Sequence, residues 1–444
     1  MGEIAPPLIV FILASLVVAR LLRRGYTSIE RRLLAVSFVA HALSAIVLVW
    51  VTDSVYEGGS DTAVYIYFGR QLSRLLDLDF TRHIGDVLAL LFHLDERLPL
   101  EVHGSGISTG TMSAISGLLF YFLGGSVYAA FISLSFSAFL GNLALYRSFR
   151  IWLPTEFHLR LAVAATLVPS VVFWSAGIVK ESLAITGLGI AHLAVSKILQ
   201  RRLFSGVLLA ALGGLMIGLV KAYILFPLAV AAGAWILLQQ TQRLRASPLR
   251  AIIGGAFAAA LALAVTAILS QQFPEYALDT LGAHLSQQQI NASGQDAGSQ
   301  YTMGNEGVDT LGGQVTFLPL ALGTALFRPL MFEVRNPQMF AAALEVTLLS
   351  ILLARGVWRN SLMGTLQLLR RVPLLAFSVT FTLLFASAVG LATANLGTLS
   401  RYRMPHMPFL MMFALVLNGP QSILSRLRTA GPIEEAVPMV GGSI

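Results

Sequence analysis

The chain has 444 residues, 56 % of them hydrophobic and 12 % charged, with a mean hydropathy of +0.75; that excludes an ordinary soluble domain and a disordered chain and leaves a polytopic membrane protein. The net charge of +8 comes from Lys and Arg scattered over many loops, without the stripe that nucleic acid requires, so no nucleic-acid partner is expected. The absence of cysteine rules out disulfides and thiolate metal sites.

Apolar runs long enough, or nearly so, to cross ~30 Å of hydrocarbon as helix occupy residues 8–22, 32–51, 126–146, 159–175, 181–198, 205–220, 223–239, 250–270, 338–354, 373–394 and 405–418. The expected fold is therefore all-α, a membrane bundle of about eleven spans in a single integral domain. A porin-type barrel would show short alternating segments, which are lacking. Glu3 precedes the first run and basic residues follow it, the reverse of a cleavable signal, so the run reads as a span.

Assigning loops alternately places 20 of the 30 Lys and Arg on one side, with four acids, and 17 of the 22 acids on the other. The positive-inside rule then puts the N-terminus outside and the 419–444 tail in the cytoplasm. In a bacterial cell the outer side is the periplasm and the membrane is the inner one. Two external segments are long. Residues 52–125 end in TMSAISGLLFYFLGG, an interfacial or re-entrant helix by its length. Residues 271–337 open with the polar tract QQQINASGQDAGSQYTMGNEG, expected to be a mobile loop, and close with LGGQVTFLPLALGTALFRP, an apolar half-helix ended by Pro329.

Six cations break the sorting: Lys180, Lys221, Arg328, Arg335, Arg401 and Arg403 lie at helix mouths on the acidic side. Cations against hydrocarbon need partners or water, which suggests an outward cavity for an anionic ligand. Their neighbourhoods form five groups. DSVYEGGSDTAVYIYFGR crowds Asp53, Glu57 and Asp61 at the external surface, sets Tyr65 on the face of Asp61, and offers Ser60 as a helix cap. Such a carboxylate cluster suits a general base. PSVVFWSAGIVKES has a kinking Pro169, a turn at Gly177 and the pair Lys180–Glu181. GLVKAY is read as a tight turn carrying Lys221. ALFRPLMFEVRNP sets Arg328 after the half-helix with Glu333 and Arg335 beyond, Arg335 being read as structural. NLGTLSRYRMPHMP alternates Arg401 and Arg403 with Tyr402, and places His406 between prolines. Snorkelling lysines, belt aromatics and lipid headgroups are the plain alternatives for these groups. Walker, GxGxxG, HExxH and metal-spaced clusters are missing, so neither metal nor cofactor is expected.

The order of these pieces resembles the multi-span glycosyltransferases of the GT-C type and the Wzy- and EpsG-like polysaccharide polymerases. Asp61 to Tyr65 is similar to the D-x-x-x-Y segment of their first external loop, and FWSAGIVKES, FRPLMFE and GTLSRYRMP resemble later segments; the usual DE or ExD pair is not matched residue for residue. The resemblance implies a GT-C-like bundle acting on the outer face on a glycan linked to polyprenyl (undecaprenyl) diphosphate. It further implies Asp61 as base with Asp53 or Glu57 second, and a diphosphate clamp of Arg328, Arg401, Arg403, Lys180 and Lys221. Glu181, Glu333, Tyr65, Tyr402 and His406 would support that site. Partners would be the lipid-linked glycan, membrane lipids and other polysaccharide-assembly proteins. The activity expected first is repeat-unit polymerisation for an exopolysaccharide or O-antigen; a single-sugar transferase or ligase-like enzyme comes next, and a flippase is the alternative of another class.

Overall fold

The computed structural model describes residues 4–54, 60–243, 279–293, 300–305 and 307–429, with isolated positions between 256 and 277. Every regular element among them is a helix, and the one β contact is an isolated antiparallel bridge between Gln300 and Asn395. The chain divides into two compact units: Met1–Ser148 with Val171–Ala222, and Phe149–Ser170 with Tyr223–Ile444.

The first unit contains α1 (Ala5–Leu22), α2 (Ser28–Ser54), α3 (Asp61–Leu78), α4 (Phe80–Leu91), α5 (Ser108–Phe122) and most of α6 (Val127–Trp152). After α7 (His158–Thr166), which belongs to the second unit, and α8 (Pro169–Trp174), which straddles the boundary, the first unit resumes with α9 (Lys180–Leu199) and α10 (Leu203–Lys221). Leu8, Leu13 and Leu16 stand exposed on α1, as side chains facing lipid do and side chains facing water rarely do. Glycine sets the closest approaches. A Cβ on Gly189 would lie 1.9 Å from the Gly141 carbonyl oxygen, and one on Gly213 would lie 2.6 Å from the Gly187 carbonyl oxygen. Helices that gain no hydrophobic driving force from lipid associate through such contacts, where backbones pack without intervening side chains.

The second unit contains α11 (Leu225–Arg243), α12 (Leu281–Ser293), α13 (Leu311–Thr316), α14 (Leu318–Phe327), α15 (Pro337–Arg371), α16 (Pro373–Ala392), α17 (Leu396–Tyr402), α18 (Met407–Leu417) and α19 (Gln421–Thr429). Phe377, Phe381 and Phe385, spaced four apart on α16, stack at 6.0 and 5.6 Å between centroids. Trp235 and Phe409 meet Phe377 on its flanks at 5.6 and 5.4 Å. An aromatic ladder of this kind supplies large, rigid contact area where lipid chains compete for every aliphatic surface.

Seven helices among the described residues are long and apolar enough to cross a bilayer, or eight if the pair 404–417 and 421–429, bent by 101°, is one span. The protein is thus a multi-pass helical membrane protein. Several expected spans take another form. The 159–175 run is broken into α7 and α8 just before Pro169, whose ring disfavours helical backbone at the preceding residue. No tight turn forms at GLVKAY: residues 203–242 make one 40-residue apolar helical stretch, with a 3₁₀ turn at Ala222–Ile224. Nothing in Lys-Ala-Tyr-Ile breaks a helix, and Lys221 finds an internal partner in place of water. The 338–354 run extends to Arg371 through a break at Ser361, where φ is +58°. The first third of the expected polar loop, QQQINAS, is the end of α12. Most of the 250–270 run lies outside the described residues, as does Glu57. Replacing Gly189 by Val forces α9 off α6 and is expected to destabilise the protein by about 1–3 kcal/mol, read as a lowered unfolding temperature in detergent; Gly214→Val, where a Cβ meets open space, is expected to leave it unchanged.

Candidate functional site

In the first unit, the acidic segment resolves into a capped helix start. The Ser60 hydroxyl accepts from the Ala63 amide at 3.3 Å, and Asp61 opens α3 in solvent, where the free N–H groups of a first turn favour a negative charge. One turn on, Tyr65 is only 1 % exposed. Asp53, at the end of α2, is exposed.

Lys180 starts α9, fixed by the link before it. Gly177 has φ +140°, and a Cβ there would fall 2.2 Å from the ring of Phe131, so no other residue fits. The Lys180 ammonium lies 5.9 Å from the Tyr65 ring centroid and donates to Thr109 Oγ1 at 3.3 Å. Consecutive residues on a helix point about 100° apart, so Lys180 and Glu181 leave the start of α9 in different directions. Glu181 turns inward and receives Lys221 Nζ at 2.8 Å, both side chains buried. Lys221 is thereby matched by a carboxylate inside the protein.

In the second unit, α14 ends at Arg328, whose extended backbone follows from Pro329 behind it. Its guanidinium donates to Glu333 through Nε at 2.8 Å and again through Nη2, and lies 4.7 Å from the Tyr301 ring centroid. Glu333 also accepts the Leu330 amide at 2.7 Å. Partial burial alone would push the Glu333 carboxyl up, but the Arg328 guanidinium and the Leu330 amide outweigh it and hold the pKa below the usual glutamate value. Tyr301 is itself pinned to the end of α16, its amide to the Ala394 carbonyl at 2.9 Å and its hydroxyl to the Thr393 carbonyl at 2.8 Å.

Beneath this group lies Arg403, fully buried. It donates through Nη1 to the Arg328 carbonyl at 2.7 Å and through Nη2 to the Ala342 carbonyl at 3.3 Å, while Nε has no hydrogen-bond partner. The buried Glu345 acts on it electrostatically, and Glu345 accepts the Ser170 amide and hydroxyl at 2.8 and 2.7 Å. Arg403 therefore orients the backbone of Arg328 from behind, with its head turned away from solvent. Arg401 and Tyr402 are half-buried on α17, and His406 is buried against Phe385 at 5.8 Å.

A cavity of about 260 Å³ opens at this place, lined by Gln300, Arg328, Phe332, Glu333, Arg335, Met339 and Leu396. Two guanidinium groups and one carboxylate leave it one net positive charge, and Arg335 makes no hydrogen bond or ion pair among the described residues. Arg335, set aside on sequence as structural, is thus a wall of the cavity. Tyr301 and Gln300 were missed because both sit in a polar tract read as loop; the bridge to Asn395 that places them links residues 95 positions apart.

Compared with protein-family models, curated proteins and solved structures, the chain matches none. What the fold defines is a class, a multi-pass helical membrane protein, carrying in its second unit a cationic cavity framed by a buried arginine.

Two outcomes follow from these contacts. Lys221→Met or Glu181→Gln alone strands one buried charge or its partner and is expected to destabilise by about 3–5 kcal/mol; the double variant is expected to recover most of that, measured as a coupling in a double-mutant cycle of unfolding in detergent. Because the Glu333 pKa is depressed, its bond to Arg328 contributes fully above the unfolded value near 4.5 and is lost as pH falls through the lower folded value. Anion binding at the cavity should accordingly show no Glu333-dependent step between pH 5.5 and 8, checked by titrating inorganic phosphate against wild type and Glu333→Gln.

Proposed function

We propose that the protein is a membrane glycosyltransferase that uses polyprenyl-diphosphate-linked sugars on the outer, periplasmic face of a bacterial inner membrane. More narrowly, it polymerises repeat units of an exopolysaccharide or O-antigen. The observation that carries this reading is the cavity at Arg328 and Arg335, of a size for a diphosphate and a net charge that attracts one. The acidic-side location of these cations in the charge sorting supports placing the chemistry outside.

In the reaction, an acceptor hydroxyl loses its proton and its oxygen bonds to the anomeric carbon. The bond from that carbon to the diphosphate oxygen breaks, and the electron pair leaves with the diphosphate. Arg328 and Arg335 stabilise the charge developing on that oxygen; their fork geometry suits two phosphate oxygens, and Glu333 and Tyr301 keep Arg328 from reorganising. Arg403 positions Arg328 through its carbonyl. The base is assigned on sequence grounds to Asp61, with Asp53 or Glu57 second.

Arg328→Gln is expected to lower polymer formation about 10²-fold or more, as loss of one transition-state donor does, with lipid-linked single repeat units accumulating in membranes. Asp61→Asn is expected to give the same accumulation. Normal polymer in both variants would refute the enzymatic reading. Accumulation of lipid-linked intermediates lacking one sugar would mark a single-sugar transferase, and repeat units trapped on the cytoplasmic leaflet would mark a flippase.

A further inference from the structure

The first unit holds a second cavity, of about 290 Å³, between α3 and the end of α5. Its polar lining is Arg70, Ser73, Arg74 and Asp77 from α3, with Tyr121 from α5 and the turn at Gly124 and Gly125. Apart from Arg70, the last residue of the Asp53–Arg70 segment, none of these residues belongs to the groups that suggested the diphosphate site.

Arg70 and Arg74 lie four apart on one helical face, a repulsive spacing for like charges, and neither has a hydrogen bond or ion pair among the described residues. Ser73 between them is 93 % buried, lines the cavity, and makes no hydrogen bond to protein, although a helical serine ordinarily bonds back to its own helix. A hydroxyl that lines a cavity and makes no hydrogen bond to protein can give or accept one to a ligand there. Gly124 and Gly125, at φ +62° and +74° with nothing within 4 Å of where a Cβ would stand, leave the mouth clear. Tyr121 stacks on Phe80 at 5.2 Å and is thereby held rigid beside the cations.

Asp77 discriminates between ligands. A bare phosphate would be drawn by the two arginines and repelled by the carboxylate. A ligand carrying both an anionic group and hydroxyl donors satisfies all of them: the guanidinium forks take its carboxylate, Asp77 accepts from its hydroxyls, and Ser73 serves either. An aromatic wall beside such a set suits a sugar ring. We infer that this cleft binds an acidic sugar, a uronate or its equivalent, through Arg70, Arg74, Ser73 and Asp77. This site is separate in residues from the Arg328 cavity, and it stands or falls without the transferase reading.

The test is calorimetric titration of the full-length protein, in nanodiscs of phosphatidylcholine alone, with D-glucuronate, D-glucose and inorganic phosphate as probes. Wild type is expected to bind glucuronate about ten-fold or more tighter than glucose or phosphate. Arg70→Gln and Arg74→Gln are each expected to weaken glucuronate about ten-fold, and Ser73→Leu to abolish binding by filling the cleft. Asp77→Asn is expected to weaken glucuronate and strengthen phosphate, a reversal that general damage to the fold does not produce. Arg97→Gln serves as the control and is expected to change neither. Equal binding of glucuronate and glucose, or glucuronate binding unaltered in Arg70→Gln, would overturn the proposal. So would phosphate binding as tightly as glucuronate, or displacement of glucuronate when phosphatidylglycerol is added to the nanodiscs, which would assign the cleft to a lipid headgroup. Polymer formation in Arg328→Gln is read independently, so failure here and failure there are distinguishable.

Discussion

A charged side chain held away from water in an apolar helix bundle must be met by an opposite charge or by oriented dipoles, and this requirement organises both units. In the first, Lys221 meets Glu181 at 2.8 Å. In the second, Arg403 meets the carbonyls of Arg328 and Ala342 and the field of Glu345. The net stability of such arrangements is close to zero, because desolvation offsets most of the attraction, yet breaking one partner costs several kcal/mol. Their contribution is therefore to geometry. Any packing that separates Lys221 from Glu181, or turns the Arg328 carbonyl away from Arg403, is selected against.

The same residue types play a different part where water reaches them. Arg328 and Arg335 line an open cavity, Arg328 with part of its fork held by Glu333, and Arg70 and Arg74 line another. Burial separates the two roles more clearly than residue identity does. Lys221 and Arg403, grouped on sequence with the clamp, are buried, whereas Arg335, grouped with structure, lines the cavity. Arg403 connects the roles, since its hydrogen bond to the Arg328 carbonyl fixes the backbone that carries the half-buried Arg328 guanidinium at the cavity.

Much of the framework is legible along the chain because it depends on local physics. Long apolar runs become helices, Ser60 caps α3, and Pro169 interrupts the run that precedes it. Contacts distant in sequence are not legible in this way. Glu181 stands next to Lys180 in sequence and bonds a cation 40 positions away, a partner that no local pattern indicates. A lone Lys between apolar runs reads as a loop when water is assumed to be its only solvent; with Glu181 as partner the helix continues through it. The polar tract near residue 300 carries no apolar period, and its contribution to the site, Gln300 in the cavity wall and Tyr301 against Arg328, depends on a bridge to Asn395.

The central claim is that Arg328 and Arg335 hold a lipid diphosphate, and the most direct measurement is an electron cryomicroscopy map of the full-length protein in nanodiscs with a short-chain polyprenyl diphosphate. Diphosphate density is expected within hydrogen-bonding distance of both guanidinium groups, with Arg403 still bonded to the Arg328 carbonyl beneath it. Density for the diphosphate elsewhere on the protein, with the Arg328 cavity empty at saturating ligand, would contradict it.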